Sequence, residues 1–386
     1  MKAPVSLFFA LALSGAAPLA AQAPPAAVQA QTVARGLQHP WAVAFLPQGR
    51  FLVTERPGRL RVVEADGRLR VVEADGRLRP PLTGLPDIAA GGQCGLLDVI
   101  TDADFERNRT IYFCFAEPGP GLANGTALAR ARLAEDLRGL TELRVIFSQQ
   151  PKVASQLHFG CRIVERRVGG QPDGTLWLTL GERFSRRDDA QRLDNHLGKI
   201  VRVGKDGSVP ADNPLAGRAG ALPEIWSFGH RNVQGATLGP DGTLWTHEHG
   251  PMGGDEINRP PPGGNHGWPL VSFGLHYDGS PVGSGASSRP GLVAPLHHWT
   301  PSIAPSGMAL LSSDRYGPAW RGNLFVGALK LQYLARLELQ DDRVVAEHRL
   351  LEDLDQRIRD VRQGPDGWLY VLTDSPSGQL IRLLQK

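Results

Sequence analysis

Six polar clusters, spread from Gln93 to Arg359, carry residue types able to do chemistry. Gln93 stands in GGQCGLLD, His158 in QLHFGCRIV and Arg231-Asn232 in SFGHRNVQG. The run HEHGPMGGDEIN covers His247 to Asn258, Lys330 follows in GALK, and Arg357 and Arg359 close the series in QRIRDV. An imidazole titrates near neutrality, so His158 can take the proton of a hydroxyl, although a histidine at a strand end is equally a structural cap. Arg162 and Glu182, in LGER, are candidates to orient it. Arg231 can stabilise negative charge growing on an oxygen. Along an extended strand Arg357 and Arg359 point one way and Ile358 the other. Two guanidinium groups on one face suit carboxylates through bidentate hydrogen bonds. Positions this distant in sequence can share a site only if every repeat of the fold runs to a common axis.

The elements that would do this are visible. A turn containing Pro or Asp with Gly, followed by bulky alternating residues, recurs before RFLVTE, TLWLTLGE, TLWTHEHG and WLYVLTD. Degenerate copies precede TIYFCFAE and LFVGALK. Asp-Gly and Asn-containing turns supply the positive φ that tight hairpins need, and the aromatic and β-branched runs supply strands. The copies start near 47, 107, 172, 240, 321 and 365, a mean step of about 64 residues. A four-stranded blade needs roughly 40 residues, which leaves about 20 for loops. The expectation is an all-β, six-bladed β-propeller with four-stranded antiparallel blades. The Pro/Gly-rich stretch from Pro260 to Pro295 reads as a long functional loop. Leu137 to Phe147 fits a short helix or a blade strand, and the VGGQPDG turn should protrude.

Composition agrees. With 42 basic and 39 acidic residues the net charge is +3, too balanced for the basic stripe of a nucleic-acid binder. Gly at 46 and Pro at 31 suit many short strands and turns. No phosphate-cradling glycine motif is present, which disfavours NAD and ATP. Lys2 followed by an apolar run from Val5 to Leu13 reads as an export signal, too short to span a bilayer. Residues 1–23 form that signal, with the cut as late as residue 30, and the propeller domain takes 31–386; Pro24 to Gln31 reads as a disordered leader. The expected location is periplasmic or secreted. GRLRVVEAD occurs twice in tandem, at 58–66 and 67–75, and the extra nine residues should form a loop or protruding hairpin. Three cysteines leave at least one thiol free, and Cys114 in IYFCFA reads as core.

At HFGCRIV, PDGTLWLTLGE, PEIWSFGHRN, HEHGPMGGDEIN, NHGWP, GALK and QRIRDV the chain resembles the soluble PQQ-dependent sugar dehydrogenases, nearest to the aldose sugar dehydrogenase branch of the glucose/sorbosone dehydrogenase family. The resemblance runs from about His39 to Leu383 and implies a six-bladed propeller, in agreement with the repeat count. It also implies pyrroloquinoline quinone (PQQ) and Ca²⁺ as cofactors. His158 and Arg231 match catalytic positions. Gln93, Arg231, Asn232, Ser272, Trp299, Ala328, Leu329, Lys330, Arg357, Ile358 and Arg359 match cofactor contacts, Trp299 as an aromatic near the cofactor plane. Gly250 and Pro251 match carbonyl ligands of the calcium, and Glu256 a carboxylate ligand. His266 stands where the family carries a tyrosine that binds through its carbonyl. Cys94 and Cys161 replace small residues beside Gln93 and His158, which raises a pairing between them.

The implied reaction is oxidation of an aldose at its anomeric hydroxyl to a lactone, with an external electron acceptor. A calcium-dependent lactonase-type hydrolase needs a carboxylate-rich centre and has no use for Lys330, Arg357 and Arg359. A non-enzymatic glycan- or protein-binding propeller has none for His158 and Arg231-Asn232. A transition-metal site built from His247, His249 and His266 is a further alternative.

Overall fold

The computed structural model of the chain describes residues 28–65 and 81–386, in six antiparallel sheets. Their innermost strands are Pro40–Leu46, Leu96–Thr101, Gly160–Val168, Val233–Leu238, Pro305–Leu310 and Ile358–Gln363. Each touches the next, and the last returns to the first, so the sheets close a ring: a six-bladed β-propeller. Blades 2 to 6 have four strands; blade 1 has three among the described residues. Blade 6 is completed by Val28–Leu37, which pairs with Gly378–Gln385 and so joins the two ends of the chain. That strand starts at Val28, inside the stretch expected to be a disordered leader. Val28, Gln29 and Ala30 pair with Gln385, Leu384 and Leu383. The second copy of GRLRVVEAD falls at 67–75, outside the described residues.

The inner strands are buried on both faces, and blades approach closely. A Cβ on Gly307 of blade 5 would lie 2.3 Å from the Val361 amide nitrogen of blade 6, so only glycine fits. The Pro/Asp-Gly turns join first to second strands, at one end of the ring. In blade 3 the turn itself is made by Gly169 and Gly170, at φ 56° and 80°, and Pro172–Gly174 lies within the second strand. The extra residues thus lengthen a protruding hairpin, with Val168 exposed at its tip. Leu140–Ser148 is a strand, not a helix.

One feature repeats at the opposite end. Every inner strand slips register within its first residues: between Pro40 and Ala42, Leu96 and Val99, Val233 and Gly235, Pro305 and Met308, and Ile358 and Asp360. In blade 3, Gly160 pairs with Leu180 and Ile163 with Leu178, so Cys161 and Arg162 face Thr179 alone. A bulge re-aims side chains. Here the bulged residues include Trp41, Asp98, Arg162, Gln234 and Arg359. Arg162 bonds Asp360 at 2.9 Å and Asp98 at 3.3 Å, and Arg362 bonds Asp98 at 2.6 Å and Asp360 at 3.2 Å. This buried tetrad ties blades 2, 3 and 6 across the tunnel. Arg162 also lies over the Trp41 ring, 4.2 Å from its centroid.

Candidate active site

Above the tetrad the tunnel opens into a cavity of about 600 Å³. All six blades line it, with residues from first-strand starts and second-strand ends: His39 and Trp41, Gln93, Gly160, Asn232 and His249, Leu329, and Arg357, Arg359 and Asp374. Bulges at one end and tight turns at the other explain why the polar clusters gather while the turns do not.

His158 flanks this cavity through its neighbours Phe159 and Gly160. Its backbone is left-handed, φ 53°, and its amide donates to Gln93 Oε1 at 2.8 Å. Nδ1 lies 3.1 Å from Glu182 Oε2, and Phe184 packs edge-on against the ring at 5.3 Å. Burial pushes the His158 pKa below its usual 6.5; Glu182 opposes this, while Arg231 and Arg183 add to it. A neutral imidazole oriented by a carboxylate is the form a general base needs. Arg162 does not orient it; its guanidinium is committed to the tetrad.

Arg231 is buried beside this group. Its Nη1 donates to the carbonyls of His249, at 3.2 Å, and Gly250, at 2.9 Å, and Nη2 to the Tyr277 hydroxyl at 3.3 Å, leaving a buried Nε without a partner. Tyr277 and Trp268 belong to the long 260–295 insertion, which joins the third and fourth strands of blade 4 and climbs back to this end. The Asn232 side chain accepts from the Gly160 amide at 3.0 Å and from Gln234 at 3.2 Å.

The opposite wall is ionic. Arg357 and Arg359 do share a side, and both reach Asp374, at 3.6 and 2.9 Å. Asp374 also meets His39 Nδ1 at 2.9 Å; burial raises its pKa, but Arg359, His39 and Arg56 outweigh this and hold the carboxyl far below the carboxylate range. Arg357 donates to the Leu329 carbonyl at 3.1 Å.

Five matched positions sit elsewhere. Trp299 is buried in the apolar core between blades 4 and 5 and donates its indole N–H to Glu347 at 2.8 Å, so it is not an aromatic face of the cavity. Trp41 and Phe159 take that place. Ile358 and Ala328 are core residues; the Ile358 carbonyl accepts from Ser306 Oγ at 2.6 Å. Ser272 Oγ accepts from the Gly274 amide at 3.0 Å, and Lys330 is exposed; neither is among the lining residues. Sequence reading missed Trp41, His39 and Asp374 as lining residues, and offered His249 only as a ligand of a three-histidine metal site. His249 Nε2 donates to the Pro305 carbonyl at 2.6 Å, and burial pushes its pKa down to about 4 although Asp255 pulls the other way. The signal lay in blade equivalence: Arg56, His249, Leu329 and Asp374 all follow a second strand.

The proposed metal donors divide. Burial and the adjacent Glu248 push Glu256 up to about 8, the state of a buried carboxyl lacking counter-charge, which a hard cation supplies. The Gly250 carbonyl is already bonded to Arg231, and its amide donates to Asp255 at 2.9 Å; Pro251, beside it, is buried. His266 stacks on His230 at 4.4 Å. His247 packs over Gly235 in the blade core, so the three-histidine site does not form. Among the described residues no three His, Cys, Asp or Glu side chains gather as a metal cluster, and a hard cation here would draw on carbonyl oxygens.

The Cys94–Cys161 pairing is not made. Cys161 is bonded to Cys114, with Cα atoms 5.8 Å apart, and Cys94 is a buried free thiol. Cys114, in the second strand of blade 2, faces the bulge of the adjacent blade.

The comparison with protein families is decisive: the Glucose / Sorbosone dehydrogenase model matches residues 37–382. The chain belongs to that family. It is 43% identical over 364 residues to aldose sugar dehydrogenase YliI of Escherichia coli, covering 94% of each protein. A crystal structure of a glucose dehydrogenase superposes with a TM-score of 0.84 at 47% identity, covering 92% of this chain and 99% of that one. The PQQ-bound aldose sugar dehydrogenase of Streptomyces coelicolor gives 0.74 at 27% identity, over 94% and 100%. The dehydrogenase is thus an oxidoreductase acting on sugar CH–OH groups, of the PQQ-type propeller family. Among the described residues no helix is long and apolar enough to cross a membrane.

Proposed function

We propose that the dehydrogenase oxidises aldoses at the anomeric carbon to lactones with PQQ and Ca²⁺, passing two electrons to an external acceptor. The observation that carries this reading is a buried imidazole, held beside Glu182, at the edge of a cavity whose other wall is cationic. Arg357 and Arg359 suit the carboxylates of PQQ, Trp41 and Phe159 offer flat apolar contact, and the unpartnered Arg231 Nε suits a quinone oxygen. Gln93, Asn232 and Leu329 complete the cradle. Glu256 and the carbonyls of Gly250, Pro251 and His266 are the donors proposed for calcium.

PQQ, when bound, supplies the hydride acceptor, and calcium polarises its quinone edge. His158, neutral because it is buried, takes the anomeric hydroxyl proton as hydride leaves the same carbon. Glu182 holds the ring and stabilises the imidazolium that forms. Arg231 places positive charge where a negative oxygen develops. The apoprotein supplied with PQQ, Ca²⁺, an aldose and a redox dye is expected to reduce the dye; silence across several sugars would sink the reading.

An exported protein is part of the same proposal. A cut after Ala23 would keep the ladder pairs of Val28 to Ala30, whereas a cut after Ala30 would remove them. N-terminal sequencing of the mature protein, recovered from the periplasm or the medium, checks this.

A further inference from the structure

The segment His158–Cys161 is held from outside its own blade at every residue. The His158 amide donates to Gln93 of blade 2. The Phe159 carbonyl accepts from Thr126 Oγ1 of blade 2 at 2.8 Å. The Gly160 amide donates to Asn232, and its carbonyl accepts from Gln234 at 3.3 Å, both of blade 4. Cys161 has no such hydrogen bond. It sits in the bulge opposite Thr179, in left-handed backbone at φ 78°, where the ladder of its own sheet is interrupted. A bulged residue is left unpaired and free to shift, and left-handed backbone in a non-glycine residue persists only where its surroundings enforce it. Here Cys161 is tied from the next blade by its bond to Cys114, which stands in the regular ladder of blade 2 opposite Leu128. Of the six inner-strand bulges, this is the one with a covalent tie among the described residues, and the one three residues from His158.

We propose that the Cys114–Cys161 disulfide is a positioning element for the catalytic base: it fixes the bulge next to the segment that holds His158 at the edge of the cavity. The inference rests on the reading of His158 as base and adds a residue pair that acts through it without touching substrate or cofactor. The bond lies in the apolar core shared by blades 2 and 3, away from the ionic wall formed by Arg357, Arg359 and Asp374. Losing it should disturb proton transfer and leave cofactor capture intact.

The test begins with the bond. Alkylating the unfolded, unreduced protein should label Cys94 alone and leave a linked Cys114–Cys161 peptide by mass spectrometry; three labelled thiols would overturn the proposal. The Cys114→Ser/Cys161→Ser variant should bind PQQ within about twofold of the parent while kcat falls about tenfold or more, since small misplacements of a reacting group are costly. The acid limb of its kcat profile should move up toward the ordinary histidine range as the loosened turn admits water. An unchanged kcat and acid limb would reduce the bond to a staple between blades, and a parallel loss of PQQ affinity would assign it to the cavity at large; either outcome overturns the inference. If the variant does not fold, reduction of the folded parent by a phosphine gives the same readings. His158→Ala separates the two levels: inactivity there with full activity in the double variant removes only the clamp, whereas wild-type kcat in His158→Ala removes the base assignment as well.

Discussion

The two walls of the cavity are built from the same element and have opposite character. On the blade 3 wall the bulge leaves His158 almost wholly buried, beside one carboxylate and an aromatic edge. Its pKa is set first by loss of water. On the blade 6 wall the bulge presents Arg359, with Arg357 at 45% side-chain exposure and Asp374 between them. Burial lowers the Arg359 pKa there too, while Arg359 and His39 hold Asp374 ionised against the opposing effect of burial. Dryness favours a group that must change protonation during turnover, because each protonation state is felt strongly in low dielectric. An ionic wall whose outer guanidinium, Arg357, is half exposed favours capture of an anion, because that charge reaches into solvent and costs less desolvation. One fold thus separates proton chemistry from binding by the charge each wall carries and by the exposure of Arg357 at the rim.

The largest effect should come from breaking the dry wall. His158→Ala is expected to lose about 10²–10⁴-fold in kcat and to keep PQQ affinity, measured by cofactor titration against dye-reduction kinetics. Lost cofactor binding would instead make His158 structural. Glu182→Gln comes next, with kcat falling about 10-fold or more. The sign of its pH effect follows from the site. Burial lowers the His158 pKa below 6.5 and Glu182 raises it, so the active neutral form persists below the usual histidine range. Removing the carboxylate should push the acid limb of kcat lower still. The same depression means that His158 costs stability as pH drops from its unfolded value through its folded one. An acid limb that moved up in Glu182→Gln would contradict the assignment.

The comparison also explains what could be read from sequence. The Pro/Asp-Gly turns gave the blade count because a tight hairpin demands particular residues, yet they mark the end away from the cavity. His158, Arg231, Arg357 and Arg359 were legible because polar residues at the start of a buried strand need a reason. Trp299 and Ile358 misled by adjacency: Trp299 closes the outer strand of blade 4 and turns into the core between blades 4 and 5, and Ile358 alternates away from Arg357 and Arg359 into core. Trp41 and Asp374 were invisible for the converse reason, being an ordinary aromatic and an ordinary acid until the ring closes. Cys114 was hidden in a strand buried on both faces, where no alternation shows which side meets the next blade. Lateral neighbours across blades have no signature in spacing.

The ionic wall offers the smaller effects. Arg359→Ala should weaken PQQ affinity by about 10-fold, the scale of one charge-assisted hydrogen bond, and leave the acid limb of kcat in place. Unchanged affinity would detach blade 6 from the cofactor. The mildest perturbation probes both walls in one sample. Raising ionic strength from about 0.05 to 0.5 M shortens the Debye length from roughly 14 to 4 Å, less than the span of the cavity but more than the contact between His158 and Glu182. PQQ affinity should therefore fall severalfold, because Arg357 is in reach of salt, while the acid limb that reports His158 should hold still. If both moved together, the two walls would share one electrostatic environment, and the separation of their roles would be lost.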